Sequence, residues 1–146
     1  MRSLITVLIA LLSLGGAFAQ MQELEKGQVW TFEDATTPDA RIVIGDVEPL
    51  WGGESVAVSI SIINLPLVEL PNGELGGSSI GHLPFDIDVL RANLVTLESL
   101  GGNLDENYDE GYTYCKQAIE AGEAGVFTIT VAETIEFVRN TMLGEV

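Results

Sequence analysis

Hydrophobic and polar positions alternate most regularly between Ser55 and Leu67. Val56, Val58, Ile60 and Ile62 recur every second residue and Ala57, Ser59 and Ser61 fill the gaps, which is the period of a half-buried strand. Successive strand side chains point to opposite sides, so the four branched residues share one face and that face needs a cover. Ile63, Leu65 and Leu67 shift the apolar phase by one residue, which predicts a bend or bulge, and Pro66 ends regular pairing.

Two shorter strands are predicted before it. Gln28 to Phe32 places Trp30 and Phe32 two apart on one side. Arg41 to Val47 is apolar on both sides, with Ile42 and Ile44 alternating with Val43 and Val47, so the pattern does not assign its buried face; Gly45 marks a bulge. Glu48 to Glu54 contains Pro49, Gly52 and Gly53 and reads as a hairpin connection, which predicts an antiparallel meander with Trp51 at the tip.

Beyond the Pro71-Asn72-Gly73 turn, glycines and serines extend a long predicted loop to Pro84. Three helices are then expected. Asp86 can cap the first, whose apolar stripe is Val89, Leu90, Leu94 and Leu97, and Gly101-Gly102 stops it. Asn107 and Glu110 form a capping pair for the second, where Tyr108, Tyr112, Cys115 and Ile119 lie along one side and Cys115 should be buried. A short strand over Val126 to Ile129 precedes the third, opened by a Thr130 to Glu133 capping box with Val131, Ile135, Val138 and Met142 on one face. The expected fold class is α+β: an antiparallel sheet of three to four strands with two to three helices packed on one face.

The first residues change the picture of where this domain works. Arg2, the apolar run Leu4 to Leu14 and the small-residue pattern Ala17-Phe18-Ala19 read as a signal peptide over residues 1–19, cleaved before Gln20. The run is too short to span a bilayer as a helix. Residues 20–146 then form a single domain, exported to the periplasm or the medium, with no membrane attachment in the mature form.

The 146-residue chain carries 22 acidic against six basic residues, a net charge of −16, and the leader takes Arg2 with it. Nucleic acid and anionic lipid are bound mainly through Lys and Arg, so both are discounted as partners. The charge fits solubility first and a basic protein partner second. Cys115 is the one cysteine, so no internal disulfide can form.

The segments Ile80-Gly81-His82-Leu83-Pro84-Phe85, Glu110-Gly111-Tyr112 and Ala124-Gly125-Val126-Phe127-Thr128 resemble a group of small, uncharacterised bacterial proteins, over most of the mature chain. The resemblance implies a small α+β domain and a bacterial source, and brings no activity. That group has an Arg-Pro-Gly-like turn after the first aromatic strand where this chain has Thr36-Thr37-Pro38-Asp39.

Recognisable chemistry is sparse. His82 is the one histidine and cannot by itself build a His-rich metal site. Asp105, Asn107 and Asp109 alternate like calcium ligands, but Glu110 and Lys116 stand where an EF-hand needs Gly and Glu. No phosphate-cradling Gly-Lys-Ser/Thr loop occurs, and no cofactor and no metal are expected. The sequence favours an exported, non-catalytic interaction or ligand-binding domain, with Trp51 and His82 as its candidate binding surface. The alternatives are a small extracytoplasmic hydrolase pairing His82 with a carboxylate, and an acidic inhibitor or immunity-like partner of a basic protein.

Overall fold

A computed structural model describes residues 22–50 and 55–144. The elements run β1 (Val29–Phe32), β2 (Arg41–Leu50), β3 (Ser55–Ile63), β4 (Val68–Glu69), β5 (Leu75–Gly76), β6 (Ile80–Asp86), α1 (Ile87–Asn93), β7 (Leu94–Ser99), α2 (Tyr108–Glu120) and α3 (Val131–Met142). The fold is α+β. Its main sheet has five strands in the order β6-β3-β2-β1-β7, every neighbouring pair antiparallel, one strand more than the upper expectation. A separate ribbon pairs β4 with β5.

β3 lies inside the sheet as its pattern predicts. Val58, Ile60 and Ile62 are fully buried and Val56 half-buried. Val58, Ile60 and Ile62 share a dry face with Trp30, Phe32, Ile42, Ile44, Leu83 and Phe85, covered by Leu90 of α1 and by Val131 and Ile135 of α3. The inward face of β2 is therefore the Ile42 and Ile44 side, although Val43 is also fully buried on the other.

Four expectations are corrected. The helices do not share one face of the sheet: α2 covers the opposite side, so Ala57, Ser59 and Ser61 are buried as well. The first helix ends at Asn93 rather than at Gly101, and Leu94 to Ser99 form an edge strand against β1. Asn93 stops it by holding its own turn and the start of α3 together: its Nδ2 donates to Val89 O at 2.9 Å and its Oδ1 accepts from Val131 N at 3.1 Å. Within the long Gly-rich stretch, β5 and β6 are strands, and His82 sits on β6. Phe127 contributes an isolated parallel bridge to Phe85 instead of a strand.

The capping predictions divide. Asp86 accepts from Asp88 N and Val89 N at 3.0 and 3.2 Å, and the Thr130–Glu133 box is closed in both directions. Asn107 makes no side-chain cap bond to α2. Its place is taken by Asp105, whose Oδ1 accepts from Asn107 N at 2.9 Å and whose carbonyl accepts from Tyr108 N at 3.0 Å. Among the described residues, no helix is long and apolar enough to cross a membrane.

Candidate functional site: the cleft beneath α2

Two bulges flank β3 and set the geometry of the second face. Between the pairs Ile44↔Ile60 and Val47↔Val58, β2 advances three residues while β3 advances two, so Gly45 and Asp46 form the bulge that the glycine predicts. Between Ile60↔Leu83 and Ile62↔Ile80, β6 carries the extra residue, at Gly81 and His82. An extra residue turns its neighbour out of simple alternation, and here it delivers Asp46 and His82 to the same side of the sheet, under α2.

The N-terminal half of α2 sits directly on these bulges because glycines leave it room. A Cβ on Gly45 would strike the Tyr108 ring, one on Gly81 would come within 3.1 Å of Asn107, and one on Gly111 would meet the His82 Cβ at 2.8 Å. Small residues at three approach points let helix and sheet close to backbone contact. Tyr108, fully buried, fixes the contact: its hydroxyl accepts from Asp46 N at 2.8 Å and donates to Asp46 Oδ2 at 2.8 Å. Ser61 stitches the same end, donating to Gly81 O at 2.7 Å and accepting from Asp105 N at 3.1 Å.

His82 is wedged between two tyrosine rings, edge-on to Tyr108 and Tyr112 at centroid separations of 5.4 and 5.7 Å. Its Nε2 shares a 2.8 Å hydrogen bond with Ser59 Oγ, and its Nδ1 is enclosed without a partner. Burial pulls the imidazole pKa down to about 4, against the smaller pull of the Asp46 charge, so the ring is neutral at pH 7. Burial also raises the pKa values of Tyr108 and Cys115.

Toward its C-terminal end α2 stands off the sheet. A cavity of about 250 Å³ opens there, floored by Ala57, Ser59 and Pro84 and roofed by Tyr112, Cys115 and Ile119. At its rim Tyr112 donates to Glu48 Oε1 at 2.7 Å, Lys116 Nζ lies 3.7 Å from Glu48 Oε2, and the same ammonium stands 5.7 Å from the centre of the Tyr112 ring. Burial, and after it the hydrogen bond to Glu48 and the charge of that carboxylate, raise the Tyr112 pKa. A larger hollow of about 570 Å³ follows α3, between Phe32, Leu65 and Ile135. No histidine, cysteine or tyrosine lines it, and its Arg139 is already engaged with Pro66 O and Gly77 O.

Of the residues singled out in the sequence, His82 lines the cleft and Trp51 lies outside the described residues. Cys115 is half-buried in the cavity wall rather than in the core. Asp105 spends its oxygens on Asn107 N and on the Ser79 hydroxyl at 2.6 Å, and among the described residues no three His, Cys, Asp or Glu side chains gather to hold a metal ion. Ser59, Glu48, Tyr112 and Lys116 were not legible as site residues. A tyrosine and a lysine at i and i+4 on a helix, opposite a strand of alternating small residues, are the signal that could have raised them.

No protein family, curated protein or solved structure matches this chain.

Proposed function

We propose that this chain is an exported, non-catalytic ligand-binding domain whose working site is the cleft beneath the C-terminal half of α2. The observation that carries this reading is the cavity itself: about 250 Å³, apolar along Pro49, Leu50, Ala57, Pro84 and Ile119, with His82, Tyr112 and the Glu48–Lys116 pair converging on it. An apolar hollow with a few placed polar groups is what small-molecule sites have in common. Export rests on the leader pattern of residues 1–19.

Thermal-shift screening of a small-molecule set tests the reading, with wild type run beside an Ile119→Trp variant that fills the cavity. Stabilising compounds should lose their effect in the variant. Compounds that stabilise both proteins equally would place binding elsewhere.

A hydrolase is the second reading, favoured by the 2.8 Å contact of Ser59 with His82. Three features weigh against it. Ser59 is only 5 % exposed, which leaves little room for an incoming carbonyl. An imidazole with a pKa near 4 is a poor acceptor for a serine proton at neutral pH. His82 Nδ1 has no carboxylate to orient the ring or to stabilise its protonated form. Turnover of p-nitrophenyl acetate that disappears in His82→Gln would reverse the ranking.

A further inference from the structure

The rim of the cleft carries a second message, about what kind of ligand it takes. Two groups meet at one point there, the Glu48 carboxylate and the face of the Tyr112 ring, and Glu120 adds a second carboxylate to the lining of the same cavity. The Lys116 ammonium occupies that point. It is held loosely, at 3.7 Å from Glu48 Oε2, on a side chain that is 46 % exposed. Glu48 is the fixed partner, because the Tyr112 hydroxyl holds its other oxygen at 2.7 Å. The cavity behind the rim is apolar and its histidine uncharged.

We propose, resting on the ligand-binding reading, that the cleft takes a small organic ammonium compound: an apolar body under α2 and a cationic head in the seat now filled by Lys116. A carboxylate and an aromatic face together favour a cation, and the aromatic share grows when the site loses water. Lys116 then acts as a tethered competitor that the ligand displaces. The field of the whole chain works in the same direction, since a net charge of −16 gathers cations and repels anions. A carboxylate ligand of the same shape would meet both Glu48 and Glu120.

Three probes of nearly equal shape separate the possibilities by titration calorimetry: 3-phenylpropylamine, 3-phenylpropanol and 3-phenylpropionate. The amine should bind about tenfold or more tightly than the alcohol, and the propionate should show no measurable heat. Glu48→Gln keeps an oxygen for the Tyr112 hydroxyl while removing the charge; it should cut the affinity for the amine about tenfold and leave the alcohol unchanged. Lys116→Met keeps an apolar stem and removes the competing ammonium, so the amine should bind more tightly to it than to wild type. Equal binding of amine and alcohol, both abolished by Ile119→Trp and neither altered by Glu48→Gln, would overturn the cation inference and leave the ligand-binding reading standing. No binding of any of the three to wild type or to Lys116→Met would overturn the cation inference, and the failure of the compound screen as well would take the ligand-binding reading with it.

Discussion

The two faces of the five-stranded sheet are built from the same strands and do different work. On the dry face, Val58, Ile60 and Ile62 join Leu90, Val131 and Ile135 in one apolar core. On the other, His82 stands edge-on to Tyr108 and Tyr112, and the two tyrosine hydroxyls join helix to sheet through hydrogen bonds to Asp46 and Glu48. Apolar burial is non-directional, so the dry face can supply stability without fixing any side chain to a purpose. Hydrogen bonds are directional and costly to leave unmade, so the polar face fixes positions, and a cavity survives where the helix lifts away.

Substitutions sharpen this contrast in descending order of effect. Ile60→Ala on the dry face should cost about 2–5 kcal/mol in chemical denaturation, as for other buried large-to-small changes. A loss under 1 kcal/mol would mean the dry face is not where stability resides. Tyr108→Phe on the polar face should cost about 1–3 kcal/mol, because it strips partners from both Asp46 N and Asp46 Oδ2 while keeping the ring.

His82 should make stability depend on pH. The unfolded chain takes up its proton near pH 6.5 and the folded chain only near 4, so between those values the unfolded state binds more protons. Stability therefore falls as pH drops from 7 toward 4 and the His82 contribution levels off below that. The ring is partly open to solvent, so a discounted contribution of about 1–2 kcal/mol is expected. Subtracting the pH profile of His82→Gln from that of wild type isolates it; identical profiles would show that burial leaves the ring's proton affinity unchanged. Glu98→Gln, which removes an ion pair with Arg41 at the exposed β7 edge, should change stability by about 0.2–1 kcal/mol.

The sequence disclosed those parts of the fold whose signals are local. The alternation in β3, the Asp86 cap and the Thr130–Glu133 box each depend on residues within a few positions of one another, and all three hold. β6 was hidden because Gly81 and Pro84 are residues of turns, while here Gly81 serves a bulge and Pro84 sits on the sheet's edge strand. The pattern reads β7 as helix because Leu94 and Leu97, three apart, fit a helical stripe as readily as an irregular strand; the deciding contact, Asn93 to Val131, spans 38 positions. The site depended on longer spans still. Tyr108 reaches Asp46 and Tyr112 reaches Glu48 across 62 and 64 positions, and nothing in the periodicity of α2 distinguishes a tyrosine that only packs from one whose hydroxyl is spoken for. Ser59 and Ser61 looked like a wet surface, when their small size is what admits a helix there.

The glycines and Tyr108 hold the N-terminal end of α2 against the sheet at backbone distance, while its far half is tied to Glu48 through the longer reach of Tyr112 and Lys116, so the helix can be treated as a beam held most firmly at one end. Ile119 stands eleven residues beyond the clamp, about 16 Å at 1.5 Å per residue, so a tilt of roughly 5° about Tyr108 would carry it some ~1.4 Å. Mouth width is thereby governed at the far end of the rod: a methyl group added at Gly45 or Gly111 should reset the angle of the whole beam, and with it the size of guest admitted.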